Sequence, residues 1–246
     1  MIHHAEDERR AREDLAAAYR LVAHFGWDDL IFTHISMRVP GTDDAFLINP
    51  YGMLFSEITA SSLVKIDHEG NKLEPSDYPV NPAGFTIHSA IHMARPDLHC
   101  VMHTHTIAGI AVSTLAEGLL PINQASLPFY ERVAYHDYEG LANDLDERER
   151  IVADLGPSGR AMILRNHGLL TAGASPEEAF LAMYFLERAC QIQVAALGMG
   201  RALNPLPPAV CDKTARQYEM ASSAGVPSPW PGLLRLLDTV SPGYLG

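Results

Sequence analysis

Twelve histidines stand among the 246 residues, and five of them fall between His88 and His105. The strongest local signal is His103-Thr104-His105, which closes an apolar run over 99–105 (HCVMHTH). Side chains alternate along a strand, so residues two apart project from one face. Two imidazoles held side by side in this way can chelate a cation. The same spacing also suits one satisfied core histidine next to a solvent-exposed one. A third candidate, His167, stands in Arg165-Asn166-His167-Gly168, directly after the run 161–165 (AMILR). A histidine at a strand end before glycine fits a site at a sheet edge, and it fits a plain turn equally well. Three imidazoles leave at least one coordination position open, the pattern of catalytic rather than structural zinc sites. Zinc is the first expectation for a divalent cation here, and Fe(II), Mn(II) or Co(II) accept the same donors.

The other histidines divide by position. His88 and His92 lie i, i+4 on a helical pattern over 83–94. No HExxH glutamate separates them, so their spacing predicts packing or hydrogen bonding rather than a second metal site. His34 and His136 each stand in or beside a short strand-like run and are candidates to line a pocket. His24 lies near a helix end and His68 borders a turn.

These residues need elements to position them. Leu15, Ala18, Tyr19 and Val22 recur at helical spacing, which predicts a helix over 6–25 with Gly26 as its stop. Strand-like runs follow at 34–39, 45–49 and 63–67, then the helix over 83–94, which ends before Arg95-Pro96. The strand over 99–105 leads into a small-residue helix at 107–115 and an irregular stretch to about 131. Strands near 132–136 and over 161–165 flank a charged helix at 146–155, and 169–173 is a further strand. Ser175-Pro176-Glu177-Glu178 opens a helix running to about 197: serine caps, proline takes the first position, and Glu178 is placed to close a capping box. Two more helices are expected around 227–231. Helices between and after the strands predict one mixed sheet covered by helices.

Composition narrows the setting. Apolar residues make up 47% and charged residues 20%, enough to build a core without disulfides. A net charge of −12 argues against nucleic acid and anionic membrane as partners, since both select basic surfaces. The first residues lack the basic start and apolar run of a leader, and no apolar stretch is long enough to span a bilayer. Cys100, Cys190 and Cys211 form no paired framework, which predicts a reducing, cytoplasmic compartment. One domain over 1–246 is expected, with a core at about 10–200 and a helical extension at about 205–246.

The segments ARPDLHCVMHTHTIAGIAVST and MILRNHGLLTAG resemble the class II aldolase/adducin family. HISMRV, FLINPYGMLFSEITASSLVKID and NPAGFTIHSAIHMARPD extend the likeness over about residues 10 to 200. The resemblance implies a three-layer α/β/α fold with a central, mainly antiparallel sheet, and a cyclic homotetramer with active sites between subunits. It implies His103, His105 and His167 as metal ligands. In the family's aldolases the metal polarises a hydroxy-carbonyl and stabilises an enediolate.

The departures are equally specific. The position of the acid/base glutamate of the sugar-phosphate aldolases is Gly84, and the phosphate-binding serine pair before it is Pro82-Ala83. The phosphate-binding Thr and Asn of the first loop become Ile31 and His34, and a further Thr becomes Tyr51, while Gly52 is kept. A phosphate dianion needs several converging donors, each charge-assisted bond contributing about 1.5–3 kcal/mol. Their loss predicts no cleavage of fuculose 1-phosphate. Acid/base work then falls to His34, Tyr51, His88, Gln124, Tyr130 or Tyr218, the last of these across a subunit boundary. The expectation is a metal-dependent lyase, by aldol cleavage or decarboxylation, on a small non-phosphorylated hydroxy-carbonyl or hydroxy-acid. SEITASSLVKI, AGFTIHSAI and VAYHDYEG have an adducin-head flavour, which implies the alternative of a non-catalytic binding or scaffold domain with a retained metal site. No long neck or basic tail follows, so a free-standing relative is expected.

Overall fold

The computed structural model describes residues 2–42, 44–141, 144–223 and 227–246, without the side chains at 2–4, 82–83 and 222–223. The helix at the start, α1 (Ile2–His24), begins four residues earlier than its apolar pattern and buries Leu15, Ala18, Tyr19 and Val22. Gly26, at φ 69, supplies the left-handed residue that ends it.

Seven strands follow: β1 (His34–Arg38), β2 (Ala45–Ile48), β3 (Val64–Asp67), β4 (Cys100–Thr104), β5 (Val133–His136), β6 (Ala161–Leu164) and β7 (Gly168–Gly173). They form one sheet in the order β3-β2-β1-β4-β7-β6-β5. Every described pair is antiparallel except β5 with β6, which is parallel. Its crossover carries α4 (Glu147–Leu155), as a parallel pair requires.

Helices cover both faces. Ile35 and Met102 pack with α1 and with α5 (Pro176–Gly198), where Phe180 and Met183 are fully buried. Val101, Met162 and Leu170 pack on the other side with Ile87 and Ile91 of α2 (Pro82–Ala94) and Ile151 of α4. Burying each of these side chains stabilises the fold by about 1.5–3 kcal/mol. Strand β4 is buried on both faces, which is why its sequence runs apolar instead of alternating. The result is the expected three-layer arrangement. The short helix α3 (Ile107–Ser113) follows β4 directly, and α6 (Pro208–Ser223) and α7 (Trp230–Val240) follow α5.

Two local expectations change. Ser175 accepts the Glu178 amide at 3.2 Å, but the Glu178 carboxylate does not return to Ser175. It accepts from the Ala174 amide at 3.0 Å and pairs with Arg160 at 2.9 Å, so only half of the capping box forms. The irregular stretch before β5 contains a 3-10 turn, Gln124–Phe129, capped by the Asn123 side chain. Among the described residues, no helix is long and apolar enough to cross a membrane.

Candidate metal centre

His103 is the penultimate residue of the central strand β4, and His105 lies just past its end. Their Nε2 atoms are 2.9 Å apart, and His167 Nε2 is 2.9 Å from that of His105. The sheet brings them together because β4 and β7 pair with His103 opposite Leu170, setting the turn before β7 beside the end of β4. That turn explains the Asn-His-Gly text. Asn166 takes a left-handed φ of 58, which asparagine tolerates. A Cβ at Gly168 would lie 2.4 Å from the Thr104 carbonyl and 3.3 Å from each of the His103 and His105 rings. Only glycine lets the two strand ends approach so closely.

The protonation pattern follows from the outward nitrogens. His103 Nδ1 lies 2.9 Å from the Leu169 carbonyl and His105 Nδ1 lies 3.0 Å from an Asp29 carboxylate oxygen. Both acceptors require N–H, so in the neutral rings the inward Nε2 atoms carry lone pairs. Two lone pairs facing across 2.9 Å repel unless a cation lies between them. Burial, reinforced by His167 and the other histidines beside it, pushes His103 well below its ordinary value. His167 is pushed down to about 4 by burial and by His105. A proton is therefore a poor resident near neutrality, whereas a divalent cation matches the donor set.

Beside these three lies a chain of buried polar groups. β1 pairs with β4 so that His34 stands opposite His103, their ring centroids 5.3 Å apart. His34 Nδ1 meets His88 Nε2 at 2.7 Å, His88 Nδ1 meets Ser36 Oγ at 2.6 Å, and Ser36 Oγ meets His92 Nε2 at 2.7 Å. Alternation along β1 sends His34 and Ser36 toward α2 and Ile35 toward α1. The i, i+4 spacing of His88 and His92 lets both reach the one serine. Burial pushes His34 and His88 well below the usual imidazole range and His92 down to about 3. All three are neutral hydrogen-bonding groups at neutral pH.

Gly84 belongs to this arrangement. A Cβ there would lie 2.5 Å from His34 Cδ2 and 2.8 Å from its Cγ. The His34 imidazole fills the space into which a side chain at position 84 would grow. The side chains of Pro82 and Ala83 lie outside the described residues.

His136 lines a cavity next to His167, together with Tyr138, Glu147 and Arg165. Both of its nitrogens face carboxylates, Asp154 at 2.7 Å and Glu147 at 3.3 Å. Arg165 lies over the Tyr135 ring at 4.5 Å and donates to the Leu115 carbonyl at 3.0 Å.

The remaining candidates make their described contacts elsewhere in the chain. Gln124 donates to the Tyr218 hydroxyl at 3.3 Å, and Tyr218 packs against Phe185. Tyr130 caps the turn that carries Gln124, and Tyr51 is half-buried with its amide on Pro79. Sequence reasoning missed Asp29 and Ser36. Asp29 stands in no motif, Ser36 lies within HISMRV without being marked as a site residue, and each reaches its histidine across more than fifty residues of chain.

Comparison with known proteins decides the family. The family described as "Class II Aldolase and Adducin N-terminal domain" matches residues 13–194. This chain belongs to the class II aldolase/adducin family. A Caulobacter vibrioides relative, provisionally named an aldolase class 2 protein, is 58% identical over 241 residues, covering 98% of this chain and 93% of that one. Alpha-adducin of Rattus norvegicus is 49% identical over 198 residues, which are 80% of this chain but 27% of adducin. The solved L-fuculose 1-phosphate aldolase of Glaciozyma antarctica PI12 superposes with a TM-score of 0.82 at 29% identity, over 97% of this chain and 94% of that one. The α/β fold is thus that of the class II aldolases, while the wording of the sequence stands nearer to adducin than to this sugar-phosphate aldolase.

Proposed function

We propose that this chain is a divalent-metal-dependent lyase of the class II aldolase/adducin family, with His103, His105 and His167 as ligands. It acts on a small, non-phosphorylated hydroxy-carbonyl or hydroxy-acid by aldol cleavage or decarboxylation. The observation that carries this reading is the convergence of the three Nε2 atoms, two of them made lone-pair donors by partners on Nδ1. A cation held there, zinc first and Fe(II), Mn(II) or Co(II) by the same donors, supplies Lewis-acid polarisation of a neighbouring substrate oxygen.

The chain's own residues do the rest. His34 is the group we assign to hold and move the proton, because its ring lies against His103 and fills the space beside Gly84. His88 holds it in place through its own Nε2, which meets His34 Nδ1. The small cavity beside His167 has a mixed lining, with Asp137, Glu139, Glu147 and Arg165 next to Ile87, Ile151 and Leu164. Its carboxylates, with Asp29 on His105, disfavour a phosphate dianion. Gln124, Tyr130 and Tyr218 enter only from a neighbouring subunit of a homotetramer, and Tyr51 is a further candidate. Three buried free thiols suit a reducing, cytoplasmic setting.

A likeness to alpha-adducin of 49%, against 29% for the sugar-phosphate aldolase, favours a second reading, a binding domain that keeps its metal site. Exchange of substrate C–H protons in deuterated water separates the two. Zinc-loaded protein is incubated with a panel of hydroxy-acids and ketoses and followed by proton NMR. Exchange or cleavage on at least one member, lost in His34→Asn, is expected, with fuculose 1-phosphate inert. No exchange on any member turns the case to the binding domain, and brisk cleavage of fuculose 1-phosphate overturns the substrate class.

A further inference from the structure

The segment between α1 and β1 is built at a conformational cost. Leu30 and Thr33, neither of them glycine, take left-handed φ values of 53 and 64. Each such residue costs on the order of 1–2 kcal/mol. The turn closes on itself through an antiparallel bridge between Asp29 and Phe32, with the Phe32 amide donating to the Asp29 carbonyl at 2.8 Å. At the turn itself, burial of Leu30 and Phe32 does not offset that cost, because Leu30 is 65% and Phe32 44% exposed. What the turn does achieve is to hold the Asp29 carboxylate 3.0 Å from His105 Nδ1.

We propose that Asp29 is a positioning residue of the metal centre, an inference that rests on the three-histidine reading above. Its carboxylate accepts the Nδ1 proton of His105, fixing ring orientation and tautomer so that Nε2 faces His103 and His167. The negative charge makes that nitrogen a stronger donor, an effect the neutral Leu169 carbonyl on His103 supplies more weakly. It also offsets part of the charge that a divalent cation brings among three neutral imidazoles. Its side chain is 44% exposed, so the carboxylate is not needed to satisfy a buried core group. Its role is read in metal affinity and not in folding.

The test is zinc affinity of the full chain by competition with a chromophoric chelator, for wild type, Asp29→Ala and Asp29→Asn, beside melting of the metal-free proteins. Removing such a partner typically weakens binding about 10- to 100-fold. Asp29→Ala is expected in that range. Asp29→Asn, which keeps an acceptor oxygen and loses the charge, is expected between it and wild type. Metal-free melting temperatures are expected to stay together. Affinity of Asp29→Ala within twofold of wild type overturns the proposal while leaving the three ligands intact. Equal weakening by both variants with a matching fall in metal-free melting overturns it in favour of a structural role. A wild-type chain that takes up no zinc overturns both readings.

Discussion

Substituting Gly84 by alanine sets two opposing effects against each other. Glycine within a helix is less stable than alanine by about 0.5–1 kcal/mol, so on propensity alone the change strengthens α2. The added Cβ would meet His34 Cδ2 at 2.5 Å, Cγ at 2.8 Å and Nε2 at 3.0 Å. His34 cannot swing aside freely. It is buried, bonded to His88 at 2.7 Å and packed against His103. Overpacking of this kind costs about 1–3 kcal/mol. The net expectation in the wild-type background is destabilisation by about 0.5–2 kcal/mol. In a His34→Ala background the obstacle is gone, and Gly84→Ala is expected to stabilise by up to about 1 kcal/mol. The sign therefore reverses between backgrounds. Urea unfolding of the four metal-free proteins at one pH measures it, and a coupling of about 1–3 kcal/mol lies well within what neighbouring residues show. If Gly84→Ala stabilises both backgrounds equally, the His34 ring does not fill that space and its assignment to the site fails.

Ser36→Ala removes the one group that serves both His88 Nδ1 and His92 Nε2. Each buried polar group left unpaired costs about 1–3 kcal/mol, so for the two nitrogens a total loss of about 2–6 kcal/mol is expected in urea unfolding, and a change under 1 kcal/mol contradicts the chain. Stability is also expected to fall as the pH is lowered. His88 and His92 have folded values below the 6.5 of the free side chain, so the unfolded chain takes up protons first. Their contribution is complete above about 6.5 and is lost on acidification, for His92 down to about 3, at about 1.4 kcal/mol per pH unit for each histidine. Metal-free urea midpoints at pH 7.5 and 5.5 check this, and a midpoint unchanged or higher at 5.5 contradicts it.

Much of the architecture was legible because local and global preferences agree. The strands at 34–39, 45–49 and 63–67 stand within a residue of β1, β2 and β3, since the alternation of β3 and the unbroken apolar run of β2 match a sheet buried on one side or both. His103 and His105 were legible as a pair from strand geometry, and His167 from its place after a strand. Contacts between distant segments carried no such signal. Asp29 lies in an irregular turn 76 positions from His105, and no periodicity marks it. Gly84 could be read as a missing glutamate but not as room for the His34 ring, because that ring arrives from another strand. The capping box failed for a similar reason: Arg160, from outside the helix, pairs with Glu178.

Metal stoichiometry tests the central claim most directly. The full chain is stripped with chelator, loaded with zinc, dialysed against metal-free buffer and measured by elemental mass spectrometry. One zinc per chain is expected for wild type and for His92→Ala, which stands in the polar chain but outside the three donors. His103→Ala and His167→Ala are expected to retain a small fraction of that. A wild-type chain that holds no zinc, or a His103→Ala chain that keeps a full equivalent, contradicts the account.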